Sequence, residues 1–246
     1  MVSRCKYQNS SDIGAYARMT NKYILLPSST SEHFTSVFED VLGDQFCFVR
    51  SNIAGTAIVG RLTCGNSNGL LVPLTTTDSE LKAIREELPE GIQVRRIPER
   101  FSALGNVIAC NDNIALVHPE LDPDTLEAIR DVLLVDVFPT LIAGEPLVGS
   151  YSMFTNRGGI ASPLSKVEEL EELSSQLGIR IESATVNRGS GLVSAGACGN
   201  DFSLFCGWDT TALEFANLTR IFKIDDNQSK KADNVGIDEF VFNDFY

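Results

Sequence analysis

Five asparagines in turn-like settings, Asn21, Asn66, Asn111, Asn156 and Asn200, follow one another at steps of 45, 45, 45 and 44 residues. An internal period of this length signals a repeated structural unit, and it limits the fold more than any other feature of the chain. Each asparagine lies between short apolar stretches, such as Ala57-Ile58-Val59 before Asn66 and Leu70-Leu71-Val72 after it. This reads as a β-hairpin, because Asn tolerates the left-handed backbone of tight turns. Chain breakers follow at Pro27, Pro73, Pro119, Pro163 and Gly207. A capped helix is expected after each, with Thr77 and Glu80 as a capping box and Asp122 preceding Pro123 at a first helical position.

The helices repeat an i, i+3, i+7 apolar pattern: Phe34/Val37/Val41, Leu81/Ile84/Leu88, Leu126/Ile129/Leu133, Leu170/Leu173/Leu177 and Phe215/Leu218/Phe222. That spacing gathers three apolar side chains on one face, which must pack on a sheet. Short strands are expected next, at 46–49, 92–97, 135–138 and 179–184. The fifth unit lacks one, and Val2 to Tyr7 is positioned to supply it and close a ring. The expected class is therefore α/β, a five-bladed α/β propeller of ββαβ repeats. Its units fall at about 13–54, 55–105, 106–149, 150–194 and 195–224, with 1–12 closing the ring. Residues 225–246 break the pattern and read as a flexible acidic tail.

The chain of 246 residues carries a net charge of −13, which would repel a phosphate backbone and favours basic partners over DNA. No apolar run approaches the ~20 residues a membrane helix needs, so no membrane partner is expected. Met1-Val2-Ser3-Arg4-Cys5-Lys6 has no apolar signal core, which points to the cytosol or nucleus. The sequons at Asn9 and Asn217 then go unused. The six cysteines contain no CxxC pair and read as reduced core residues.

Chemistry is sparse. Only His33 and His118 could serve a Cys-His or Ser-His mechanism, and both sit where a structural role suffices. No HExxH or zinc-spaced cysteine pair occurs, so neither metal nor cofactor is expected. Asn156-Arg157-Gly158-Gly159 and Asn187-Arg188-Gly189-Ser190-Gly191 lack the ending of a phosphate-binding P-loop. Gly14, Gly60, Gly105, Gly149 and Gly196 step by 46, 45, 44 and 47 and should gather at one rim or around the axis. Their neighbours Ala15, Arg61, Asn106, Ser150 and Ala197 differ in chemistry, and Arg61 and Asn106 are read as placed to meet an external partner. Ser174 and Ser175 follow Glu171-Glu172, a setting suited to an acidophilic kinase.

The segments Ile13-Gly14, Leu104-Gly105-Asn106-Val107, Ala115 to Asp122, Leu147-Val148-Gly149-Ser150-Tyr151 and Thr185 to Ser190 closely resemble the eukaryotic translation initiation factor 6 family of ribosome anti-association factors. The resemblance spans about residues 4 to 224. It implies a pentein ring, monomeric when free, without catalytic residues, that binds the large (60S) ribosomal subunit at its subunit-joining face and keeps the small (40S) subunit away. It implies contacts with ribosomal proteins beside the sarcin-ricin loop and eviction by a translocase-like GTPase with its partner protein. It also implies a part in biogenesis and nuclear export of the pre-60S subunit, with residence in cytoplasm, nucleus and nucleolus. The ribosome-binding face is expected to hold Gly14, Ala15, Arg61, Asn106, Ser150, Tyr151 and Val193, and Ser174 and Ser175 match phospho-acceptor positions. The stretch Leu26-Pro27-Ser28-Ser29-Thr30 departs from the family's small, glycine-containing segment. The alternative is a guanidine-modifying pentein enzyme, which would place a nucleophilic Cys beside a His.

Overall fold

The structure, a computed structural model, describes residues 1–43 and 46–224. The tail expected at 225–246 lies outside the described residues. The chain opens on strand β1 (Val2–Cys5), and five units follow. The first holds a 3-10 turn (Ile13–Ala15), β2 (Arg18–Met19), β3 (Tyr23–Leu26), helix α1 (Glu32–Leu42) and β4 (Cys47–Arg50). The second runs α2 (Val59–Leu62), β5 (Cys64–Gly65), β6 (Gly69–Pro73), α3 (Asp78–Glu87), β7 (Gln93–Ile97). The third runs α4 (Leu104–Val107), β8 (Ile108–Cys110), β9 (Ile114–Val117), α5 (Pro123–Leu133), β10 (Asp136–Pro139). The fourth runs α6 (Val148–Tyr151), β11 (Ser152–Phe154), β12 (Gly159–Ala161), α7 (Val167–Leu177), β13 (Ile181–Ser183). The fifth has α8 (Val193–Gly196), β14 (Ala197–Gly199), β15 (Leu204–Gly207) and α9 (Ala212–Ile221).

Each of the first four units makes a three-stranded sheet whose middle strand pairs antiparallel with the one before it and parallel with the one after the helix. A parallel return needs a crossover, and the long helix supplies it. In the fifth sheet β1 takes the outer place, with Val2 opposite Leu204 and Cys5 opposite Gly207. The ring is thus closed by the two distant ends of the described chain, in the pentein architecture.

The helix signals act as their chemistry requires. Thr77 and Thr211 form capping boxes with Glu80 and Glu214, and Asp122 is the N-cap before Pro123. The third residues of α3, α7 and α9, all glutamates, have a second task. Glu80 also accepts from the Ala54 and Gly55 amides, Glu169 from Ala143, and Glu214 from Arg188 and Gly189. Each glutamate therefore pins the loop that leads into the short helix of its own unit. Burial alone would raise Glu214, but hydrogen bonds from the Thr211 amide, the Thr185 hydroxyl and the Gly189 amide outweigh it and bring the carboxyl to about 2.

Two expectations change. Ala57-Ile58-Val59 is not a hairpin arm: Ile58 is the N-cap of α2, and the first arm is only Cys64–Gly65. Such a short arm leaves too few residues for an alternation to register. The asparagine period also mixes two positions. Asn66, Asn111 and Asn200 accept from the amides two and three residues on, and in the first unit Thr20 does this, while Thr155 accepts from the amide two residues on. The turn position is therefore Thr20, Asn66, Asn111, Thr155, Asn200, with Asn21 and Asn156 one residue later. Thr and Asn exchange there because both present an oxygen to a tight turn.

Candidate functional site: the two ends of the ring axis

The 3-10 turn and the short helices α2, α4, α6 and α8 pack each on the next, and α8 returns to the first. Their second residues are Gly14, Gly60, Gly105, Gly149 and Ser194. A Cβ on Gly60 would collide with the carbonyl oxygen of Gly14, one on Gly105 with Gly60, one on Gly149 with Gly105, and one on Gly14 with Ser194. Glycine is required here by close backbone approach. The expected fifth member, Gly196, lies two residues beyond this position and instead meets Val186 and Asn187. At Ser194 the hydroxyl donates to the Gly149 carbonyl.

Arg61 reaches into this ring. Its Nη1 donates to Asn106 Oδ1 at 3.3 Å, Ser194 Oγ at 3.1 Å and the Gly149 carbonyl at 3.4 Å, and its Nη2 donates to the Ser194 carbonyl. One side chain thus ties the second repeat to the third, fourth and fifth. Arg61 and Asn106 were expected to meet an external partner, yet the guanidinium is committed to the protein. Of the other residues assigned to this face, Gly14, Ser150 and Val193 are buried, while Ala15, Asn106 and Tyr151 are partly exposed. Side chains before a short helix point outward where those within it must pack.

The outward-facing residues are the N-caps of the short helices: Asp12, Ile58, Ala103, Leu147 and Leu192. Ile58, Leu147 and Leu192 are 39%, 37% and 43% exposed. Three aliphatic side chains in one phase give this end of the ring an apolar rim. Sequence reasoning missed them, although their steps of 46, 45, 44 and 45 repeat those of the glycine position.

The opposite end is polar. Behind the turn position sits a second ring, Asn21, Ser67, Asp112, Asn156 and Asp201. Asp112 Oδ2 accepts from the side-chain amides of Asn21 and Asn156 at 2.8 Å, and Asp201 Oδ2 accepts from the same two groups. The amides of Ser67, Asp112, Asn156 and Asp201 each donate to the side chain of the following repeat. Burial alone would raise Asp112, but the Ser67 amide and the Asn156 and Asn21 side chains hold it below its ordinary value.

The six cysteines are free. Burial pushes Cys5, Cys198 and Cys206 up, whereas the contact between Cys64 and Cys110, at 3.4 Å between sulfurs, lowers Cys64 and raises Cys110. Cys64 is fully buried. His33 is exposed on α1, and His118 is buried against Phe101 with Nδ1 accepting from the Glu120 amide. Neither histidine lines the axial cavities. No group of three or more metal-ligating side chains occurs among the described residues. Ser174 is engaged by its own helix and by β13, donating to the Leu170 carbonyl at 2.6 Å and accepting from the Ile181 amide at 2.9 Å, while Ser175 is exposed.

The model of the eIF-6 family matches residues 2–221. The chain is 47% identical over 243 residues to eukaryotic translation initiation factor 6 of Tetrahymena thermophila, covering 99% of both chains. It is 49% identical to eukaryotic translation initiation factor 6-2 of Arabidopsis thaliana and 48% identical to the Saccharomyces cerevisiae factor, each over 93% of both chains. Among solved structures it is similar to ArgZ, an arginine dihydrolase, with TM-score 0.48 and 13% identity over 75% of this chain and 29% of that one. A dimethylarginine dimethylaminohydrolase adduct gives TM-score 0.44 and 13% identity over 70% and 69%.

Proposed function

Because the chain belongs to the eIF-6 family, we propose that it acts as a translation initiation factor that docks on the large ribosomal subunit through the short-helix end of its ring and keeps the small subunit away. The observation that carries this reading is the apolar rim of Ile58, Leu147 and Leu192 around a rigid, glycine-packed end. A protein that blocks by position needs a stiff contact surface rather than a reacting group. Exposed aliphatic side chains in a polar surround are a usual mark of such a surface. The net charge of −13 favours basic ribosomal proteins, such as those beside the sarcin-ricin loop, over rRNA phosphates.

On this reading the chain is non-enzymatic, and a translocase-like GTPase with a partner protein removes it. It accompanies pre-60S particles from nucleolus to cytoplasm, and Ser175, whose hydroxyl is exposed, is the phospho-acceptor of its pair. Co-sedimentation with purified large subunits tests the docking. Native protein should pellet with them and suppress joining by small subunits. The triple variant Ile58→Asp, Leu147→Asp, Leu192→Asp should lose at least about tenfold in affinity, since each anchor of this kind is worth roughly 1 kcal/mol or more. Unaltered binding by a folded triple variant would reject this face. No pelleting by the native protein would reject the function.

A further inference from the structure

Two guanidinium groups, those of Arg18 and Arg61, line one cavity of about 60 Å³ on the ring axis. Its wall includes Cys110, Met153, Ser194 and Cys198, and no carboxylate lines it. Arg61 is held at its tip by Ser194, Gly149 and Asn106, and Arg18 Nη2 donates to the Gly60 carbonyl at 2.6 Å. Both Nε–H groups are buried, and neither has a hydrogen-bond acceptor among the described residues. A buried donor on a cation without an acceptor is costly, and two unbalanced cations in one cavity are costlier still.

The neighbouring charges do not supply the balance. Burial, and then the Arg18 guanidinium, push Arg61 down to about 9, against the pull of Asp12 and Cys198. Asp112 and Asp201 line the adjoining space at the polar end, where the amides of Asn21 and Asn156 already occupy them. Arginine stays protonated in proteins, so deprotonation is not a remedy.

We propose that this cavity is a binding site for a small monatomic anion of the chloride type, held by the Nε–H groups of Arg18 and Arg61. One water needs about 10–15 Å³ of such space, so 60 Å³ admits a monatomic ion with a few waters and excludes a nucleotide. Arg61 and its partners cover one end of the cavity, and the Asn–Asp ring lies beyond the other. A bound ion at this place offsets the two cationic groups and adds to the stability of the ring. This site is independent of what docks on the rim.

The test uses full-length protein refolded in sodium gluconate and melted in gluconate, chloride or bromide at equal ionic strength. Equal ionic strength removes the general screening that any salt gives a chain of charge −13. Chloride and bromide should raise the melting temperature over gluconate by ~3 °C or more, saturably. Arg18→Met should abolish the difference, and Arg188→Met, at an exposed arginine, should keep it. Crystals grown in bromide should show an anomalous peak between the two Nε atoms. The same halide effect in Arg18→Met, or bromide crystals without that peak, would overturn the site. Should Arg18→Met not fold, the bromide peak in the native protein decides.

Discussion

The two ends of the ring axis solve one problem, joining five repeats around a line, by different physics. At the short-helix end the repeats meet backbone to backbone. Glycine allows this at Gly14, Gly60, Gly105 and Gly149, while Arg61 crosses to three other repeats and Arg18 bonds the Gly60 carbonyl. At the turn end the repeats meet through side-chain amides and carboxylates, each accepting from a backbone amide of the preceding repeat. Steric contact fails abruptly and is insensitive to pH. A hydrogen-bonded ring loosens in steps and responds to protonation.

Substitutions at the two ends should rank accordingly in urea unfolding. Gly149→Val sets a branched side chain against the Gly105 and Ile108 carbonyls, and it should cost about 3 kcal/mol or more, with loss of folded protein as the extreme. A cost under about 1 kcal/mol would show that the glycine end is not tightly packed. Asn66→Ala removes the acceptor of its own turn and leaves the Asn111 carbonyl, which it bonds across repeats, without that donor, so a cost of about 2 kcal/mol is expected.

Acid should separate the ends more finely. The Asp112 carboxyl is depressed, so its contribution is complete above its ordinary value of 3.8 and is lost as pH falls through the lower folded value. Asp112→Asn should therefore be less stable than the native chain at neutral pH, by about 1–2 kcal/mol, and the gap should narrow below about pH 4. A gap that stays constant down to pH 2 would remove the carboxylate from the account. The smallest effect is expected of Ser194→Gly, which restores the steric pattern but forfeits the hydroxyl bonds to Gly149 and Arg61. A change within about 1 kcal/mol would show that sterics govern that end.

The same contrast explains what could be read from the sequence. The long helices were legible because their buried faces recur at fixed spacing: Leu81 and Ile84, Ile129 and Leu133, Leu173 and Leu177 are all buried. The outer strands were placed to within two residues for a similar reason. The turn asparagines gave the right repeat number in the wrong register, since Thr20 and Thr155 do what Asn66 does and Asn21 and Asn156 happen to follow them. The axial glycines were found in four units, but Ser194 escaped because no rule of residue type equates it with Gly149. Arg61 was read as facing outward, and its bonds to Asn106, Gly149 and Ser194 could not be read from the sequence, since the closing of the ring brings those repeats together. The rim of Ile58, Leu147 and Leu192 was overlooked because an apolar residue before a short helix reads as core unless the helix is known to stand on an axis.

Val2 lies opposite Leu204. More than two hundred residues must be made and arranged before the opening strand finds its place, and loop-closure entropy opposes the pairing until then. The fifth sheet therefore cannot be completed early, and a chain emerging from the ribosome carries an unmatched strand through most of its synthesis. That pairing joins the first residues made to the last unit, so the ring stays open at one blade until the final repeat has taken shape.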